Sequence, residues 1–267
     1  VLITVAAVIS IERESPEPAS SSLKVGFGQA LHEVWAEPAA RRFTIFVFVS
    51  MLAYSAQDLI LEPFAGSVFG YTPGSSTKLS GVQHGGVLVG MLMVAGAGLL
   101  SARMAGQAWA RRLGSLRAWT VGGCLASALA MAALALAGLV GPGWPLRANV
   151  FLLGVANGAF SIGAIGSMMR MAGQGQSGRE GVRMGLWGAA QAMAFGIGGL
   201  LGTVASDIAH WLMTSDGSAY SSVFALEGML FIVSATLAWK IRVHAGGQAL
   251  PSTAPSRVTP LKVAHET

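Results

Sequence analysis

The sequence predicts an all-helical membrane protein with several spans, and three observations lead to that fold class. Apolar residues make up 53% of the chain and charged residues only 11%, whereas a soluble domain carries about 25% charged residues. Six apolar segments are each long enough for a bilayer core of about 30 Å, which takes about 20 helical residues. Almost all basic residues lie in alternate connecting segments. Together these features predict six complete transmembrane helices.

The elements follow in order along the chain. Residues 1–11 form an apolar run that is too short to span a bilayer, and we interpret it as the tail of a transmembrane helix that begins outside this sequence. Residues 12–42 predict a cytoplasmic linker, whose second half has the weakly amphipathic pattern of a helix on the membrane surface. Residues 43–241 predict a six-helix bundle, and residues 242–267 a polar cytoplasmic tail. The predicted spans are 43–61, 85–102, 118–139, 149–169, 184–205 and 221–241.

The basic residues predict the orientation of the bundle. All but two of the 17 Lys and Arg lie in the linker, the tail and every second loop, and the other loops hold only Lys78 and Arg147. Cytoplasmic loops of membrane proteins carry such an excess. The linker and the tail are therefore predicted to be cytoplasmic, and the positive charge indicates topology rather than nucleic-acid binding.

The layout of the spans indicates a larger architecture. Six spans after a long cytoplasmic linker are typical of the second half of a twelve-helix transporter of the major facilitator type, in which two six-helix halves are joined by such a linker. On this interpretation the partial helix at residues 1–11 ends the sixth helix of a longer parent chain. An amino-terminal six-helix half is then an expected partner of this bundle.

Gln57, Asp58 and Glu62 form a predicted polar cluster at the outer end of the first complete span. Asp58 and Glu62 are four residues apart and therefore share a helical face. Pro63 is predicted to end the helix, because its ring clashes with the preceding turn. The cluster has two interpretations, a polar site that gates the bundle or holds a partner, and a solvated helix end near the lipid headgroups.

Three further polar residues lie within apolar spans. Asn157 and Gln191 carry amides, which commonly bond neighbouring helices in lipid. Glu227 is more costly to bury, and we expect it to be protonated or to pair with a residue of the missing half. The glycine pairs spaced four apart predict close helix packing, with a groove for a flat ligand as the alternative; they are Gly86/Gly90, Gly154/Gly158 and Gly198/Gly202.

The sequence contains no pattern typical of an enzyme. It lacks a nucleophile elbow, a phosphate-binding loop, a dinucleotide fingerprint and clustered metal ligands. Cys124 stands alone in an apolar segment, so no disulfide or cysteine metal site can form within this chain. We therefore predict no catalytic residues and no metal site.

Five segments carry a family resemblance. They read QDLILEPFAG (57–66), STKLSG (76–81), QHGGVLVGM (83–91), NVFLLGVANGAFSIGAIGSMMRMAG (149–173) and GREGVRMGLWGAAQA (178–192). With them the chain resembles the PucC/LhaA family of phototrophic bacteria, a branch of the major facilitator fold. The resemblance implies a multi-pass protein of the bacterial inner (intracytoplasmic photosynthetic) membrane that helps to assemble light-harvesting complexes. It also implies bacteriochlorophyll as cofactor, and antenna polypeptides and bacteriochlorophyll-synthesis enzymes as partners beside the lipid bilayer.

Given that resemblance, His84 is the first candidate for a pigment contact. A neutral imidazole can donate a lone pair to the magnesium of a bacteriochlorophyll, and Gly85 and Gly86 leave room for a flat macrocycle. The alternative is an interfacial histidine at the start of its span that bonds its own loop.

Two functions from different classes remain open. The resemblance favours an assembly factor that holds bacteriochlorophyll or nascent antenna helices. The twelve-helix layout and the intramembrane acids motivate a secondary transporter of a small solute, coupled to protons through Asp58 or Glu227.

Overall fold

The computed structural model describes residues 26–104, 107–173 and 179–241. The partial helix predicted at residues 1–11, the first half of the linker and the tail at 242–267 lie outside the described residues. The described residues contain eight α-helices and a short 3₁₀ turn, Gly141–Gly143, between the fifth and the sixth of these helices. The helices are α1 (Phe27–Ala36), α2 (Pro38–Phe69), α3 (Pro73–Arg103), α4 (Ala108–Leu113), α5 (Leu116–Val140), α6 (Leu146–Ala172), α7 (Glu180–Leu212) and α8 (Asp216–Lys240).

The six long helices, α2, α3 and α5 to α8, confirm the predicted spans. Each is long and apolar enough to cross a membrane. Consecutive long helices run in opposite directions, so α2, α5 and α7 begin at one end of the bundle and α3, α6 and α8 begin at the other. The first of these ends carries the side chains of Arg41, Arg103, Arg117, Arg170 and Lys240, and is called the basic end below.

Pro63 does not end its helix, so that prediction was wrong. α2 continues through Pro63 to Phe69, where Gly70 adopts a left-handed conformation with φ = 67° that terminates helices. Residues beyond the proline pack in the bundle: Phe64 and Ala65 are fully buried, and the Phe64 ring lies 4.9 Å from that of Phe224. This packing stabilises the additional turns, as neighbouring helices do around prolines in membrane spans.

Glycines form the contact between α3 and α6, as their spacing predicts. A Cβ at Gly86 would overlap the carbonyl oxygen of Phe151, and one at Gly90 would overlap that of Val155. From the other side, Gly154 and Gly158 lie equally close to the backbone of α3. The two backbones touch here, so these four glycines serve packing.

Similar contacts join the remaining spans. Gly198 and Gly202 of α7 lie against the backbone of α2 at Leu52 and Ala56, which confirms the packing role of that pair too. Ser55 adds a hydrogen bond across this contact, because its hydroxyl donates to the carbonyl of Phe195 at 2.8 Å. Of the six long helices, α3 and α7 are the most exposed and α2 and α6 the most buried.

Two ion pairs join α1 and the residue that follows it, Glu37, to the start of α7. Arg179 pairs with Glu33. Arg183 is fully buried and donates to both carboxylate oxygens of Glu37, at 2.7 and 3.2 Å, and to the carbonyl of Ala172 at 3.3 Å. Bidentate arginine–carboxylate contacts are the strongest ion-pair geometry in proteins. Arg183 therefore ties the α1–α2 junction and the end of α6 to α7.

Candidate functional site

The polar residues predicted at the end of the first span join α2 to α3. Asp58 accepts a hydrogen bond from the side-chain amide of Gln83 at 3.1 Å, and Glu62 accepts one from the hydroxyl of Ser80 at 2.7 Å. Both acids are half-buried. Polar groups in an apolar environment need such partners. We call Asp58, Glu62, Ser80, Gln83 and the adjacent His84 the α2–α3 polar cluster.

The cluster lies well inside two long helices. α2 continues from Asp58 to Phe69, which is about 16 Å along the axis at 1.5 Å per residue. α3 begins at Pro73, so His84 lies about three turns inside its helix. Both helices are longer than the roughly 20 residues that cross a bilayer core, so the placement of these groups at the ends of the membrane spans stays a prediction.

His84 has a defined tautomer in this setting. Its ring Nδ1 lies 2.8 Å from the carbonyl oxygen of Ser80, one turn earlier on α3. A carbonyl only accepts, so Nδ1 carries the hydrogen of this bond, and in a neutral imidazole the lone pair is then on Nε2. The side chain of His84 is exposed, and Asp58 lies near enough to interact with it electrostatically. An imidazole oriented in this way is the form that ligates metal ions.

The two glycines beside His84 have different surroundings. Gly85 is exposed, and a Cβ added there would meet nothing within 4 Å. Gly86 lies in the contact with α6 described above, where no ligand fits in this bundle. The exposed face that continues from His84 along α3 is apolar, with Leu88 and Leu92 about 60% exposed. His84 and Gly85 thus lie at one end of an open apolar surface.

The predicted intramembrane polar residues differ in their contacts. Asn157 joins helices as expected, because its carbonyl oxygen accepts from the hydroxyl of Ser127 on α5 at 2.8 Å. Gln57 and Glu227 are fully buried, and their side-chain oxygen and nitrogen atoms have no hydrogen-bond partner among the described residues. Gln191 is exposed on α7 and bonds no other helix among the described residues, so its bond to a neighbouring helix stays a prediction.

Sequence reasoning missed several of these contacts. Gln83 and Ser80 were part of the resemblance but were not singled out as site residues, although a glutamine and a serine between apolar segments are a usable signal. The sequence also indicates no more than a charged loop residue at Arg183, because its partner Glu37 lies 146 residues away in sequence.

An apolar groove of about 690 Å³ lies between α3, α5 and α6. Its walls are mostly small and apolar, with Gly122, Ala126 and Ala156 between Trp119 and Leu152. The groove faces outward from the bundle and its volume falls in the range of small-molecule sites.

Comparison with known proteins assigns the family. A family model described as "PUCC protein" matches residues 1–246, which is most of the chain. This chain belongs to the PucC family. The resemblance stated from the five sequence segments is thereby confirmed.

Individual relatives agree with this assignment. The chain is 47% identical over 252 residues to "Bacteriochlorophyll synthase 44.5 kDa chain" of Rhodobacter capsulatus, covering 94% of this chain and 56% of the relative. It is 31% identical to an "Uncharacterized protein in puhA-bchM intergenic region" of the same organism, covering 86% of this chain and 46% of the relative. "Protein PucC" of Cereibacter sphaeroides is 29% identical, with 77% and 43% covered.

The chain spans about half the length of the curated relatives that it matches. No solved structure matches this chain.

Proposed function

We propose that this protein assists the assembly of photosynthetic light-harvesting complexes, and that it does so by holding bacteriochlorophyll, antenna polypeptides or both at its membrane-facing surface. Membership of the PucC family supports this role, as do the relatives named PucC and "Bacteriochlorophyll synthase 44.5 kDa chain". The proposed role is not enzymatic: the acids of the α2–α3 polar cluster are engaged in bonds between helices, which is a structural use of carboxylates.

The single observation that carries the pigment part of the proposal is the state of His84. Its Nδ1–H is bonded to the Ser80 carbonyl, which leaves the Nε2 lone pair for the magnesium of a bacteriochlorophyll. The open space at Gly85 accommodates the edge of a flat ring, and the exposed apolar face of α3 suits its hydrophobic periphery. A bound bacteriochlorophyll would supply a magnesium ion for which His84 is the nitrogen ligand on this surface.

Other members of the α2–α3 polar cluster would position His84. Ser80 provides the carbonyl for Nδ1 and, with its hydroxyl, bonds Glu62 of α2. Asp58 interacts electrostatically with His84 and is held by Gln83. These contacts fix the rotation of α3 relative to α2 and hence the direction of the ring.

The proposed setting is the inner, intracytoplasmic membrane of a phototrophic bacterium, with the basic end and the tail in the cytoplasm. The proposed partners are antenna polypeptides, enzymes of bacteriochlorophyll synthesis and an amino-terminal six-helix half in a major facilitator-type arrangement. The length of the relatives is consistent with such a half.

An absorption spectrum of the protein purified in mild detergent from pigment-producing cells tests the proposal, with His84→Ala beside the wild type. His210 offers a matched control, because its Nδ1 also lies 2.7 Å from the carbonyl one turn earlier, that of Ser206. Its Nε2, however, faces Asp216 at 3.9 Å and its ring packs on Tyr220. We expect a bacteriochlorophyll band that His84→Ala weakens and His210→Ala leaves unchanged.

The other outcomes are equally informative. A band that survives in His84→Ala keeps pigment handling but contradicts the site. A protein that carries no pigment and captures no antenna polypeptide contradicts the whole proposal.

Secondary transport of a small solute is the competing function, motivated by the buried carboxyl of Glu227. Solute uptake into proteoliposomes that is lost in Glu227→Gln would favour it over assembly.

A further inference from the structure

A row of aromatic side chains marks one depth within the bundle. The ring of Phe160 on α6 lies 6.5 Å from that of Tyr54 on α2 and 5.9 Å from that of Phe231 on α8. Side chains on three helices therefore meet in this part of the bundle.

One turn further from the basic end, the same three helices carry polar side chains. α2 runs away from the basic end, so Gln57 follows Tyr54 in that direction. α6 and α8 run towards it, so Asn157 and Glu227 precede their aromatic neighbours. We call Gln57, Asn157 and Glu227 the polar layer. The contact of Phe64 with Phe224 covers the layer on its other side.

The polar layer is sealed and its hydrogen bonds are incomplete. Its three side chains are between 0 and 2% exposed. Asn157 uses its carbonyl oxygen for Ser127, but its amide nitrogen has no partner among the described residues, and the same holds for both polar atoms of Gln57 and both oxygens of Glu227. Buried polar atoms of this kind are costly unless something satisfies them.

No basic side chain in the described residues neutralises Glu227. The Lys and Arg of the long helices lie within about two turns of a helix end. The titratable group that acts on it is Asp58 on α2, while α5 faces this region with Ala128, Met131 and the hydroxyl of Ser127. Asp58 adds negative charge, so an ionised Glu227 would be unpaired in an apolar interior.

We propose that the polar layer is a binding site for a small monovalent cation, a proton or a sodium ion, with Glu227 as its anionic group. A proton on Glu227 removes the charge and gives this side chain a donor, and Gln57 carries a carbonyl oxygen without a partner among the described residues. A sodium ion would use the carboxylate and the same carbonyl as oxygen ligands, as in membrane sites for this ion. The inference does not depend on pigment binding, since His84 and the polar layer are separate groups of residues.

Thermal unfolding of the detergent-purified protein tests this site, followed by tryptophan fluorescence and measured from acidic to alkaline pH in sodium chloride and in choline chloride. A proton that the folded state holds and the unfolded state releases makes stability fall as pH rises. In choline chloride we expect the wild-type melting temperature to drop by at least about 2–4 °C on going to alkaline pH. Glu227→Gln, which is neutral at every pH, should show no such drop.

Two further variants locate the effect. Asp207→Asn removes an exposed acid on α7 and should retain the wild-type profile, whereas Asp58→Asn removes a negative charge that acts on Glu227 and should reduce the pH effect without abolishing it. If sodium chloride raises the melting temperature of the wild type at alkaline pH, but not that of Glu227→Gln, sodium is a ligand of the site. If the melting temperature depends on pH but not on sodium, the ligand is the proton. The proposal is overturned if the wild type responds to neither ion, or if Glu227→Gln keeps the wild-type profile. A wild type that responds to neither ion overturns the proposal even where the variant does not fold.

Discussion

Gly90→Ala is predicted to destabilise the protein, whereas Gly96→Ala on the same helix is not. Both glycines lie in α3, but they face different surroundings. A Cβ at Gly90 would overlap the carbonyl oxygen of Val155 and lie 3.0 Å from the backbone nitrogen of Ala159. A Cβ at Gly96 would meet nothing within 4 Å. The pair therefore separates the steric effect of the methyl group from its effect on helix propensity.

The expected change in melting temperature follows from the helix propensity of alanine and from the steric overlap of its methyl group. Alanine is better than glycine in a helix interior by about 0.5–1 kcal/mol, so Gly96→Ala should be neutral or slightly stabilising. At Gly90 the atoms in the way belong to the backbone and cannot rotate aside, so α3 and α6 must move apart. Overpacking of this kind costs about 1–3 kcal/mol. After the propensity gain, the melting temperature should fall by roughly 2–8 °C.

Cys124 provides the assay. It is the single cysteine of this chain and is fully buried, so a thiol-reactive fluorescent dye reports unfolding during a temperature ramp. The double variant with Gly158→Ala should cost less than the sum of the two single changes, because the first change already separates the helices. A melting temperature of Gly90→Ala equal to that of Gly96→Ala would refute the backbone contact between α3 and α6.

Two further predictions concern side chains that join helices, both measured as melting temperatures. Arg183→Met removes the buried partner of Glu37 and should lower the free energy of unfolding by up to about 3 kcal/mol, the low end for a buried pair, since Glu37 is 33% exposed. Arg170→Met, at an exposed position, is the control and should change the stability little. Equal effects of the two variants would contradict a stabilising ion pair. Ser127→Ala leaves the Asn157 carbonyl oxygen without a donor and should cost about 1–3 kcal/mol, whereas Ser222→Ala, which removes a bond within its own helix, should cost less.

Part of the candidate site could be predicted from the sequence. Asp58, Glu62 and His84 stand out because polar residues in apolar segments are rare, and that is a property of the sequence alone. The full length of the helices around them could not be predicted, since both helices continue past the points where the hydropathy falls. Polar turns around Ser76 extend α3, and packing of Phe64 carries α2 past its proline.

The number of spans, their positions and the close packing of the spaced glycines were determined by the sequence itself, because apolar length and residue size act locally along each helix. Tertiary structure alone decided which faces meet. It brings Arg183 to Glu37, 146 residues away in sequence, joins Gln83 to Asp58, and buries Gln57, Asn157 and Glu227. Membrane helices are apolar on the lipid side as well as towards their neighbours, so no hydrophobic periodicity marks the inward face. Only the packing of the whole bundle sets the rotation of each helix and brings these distant residues together.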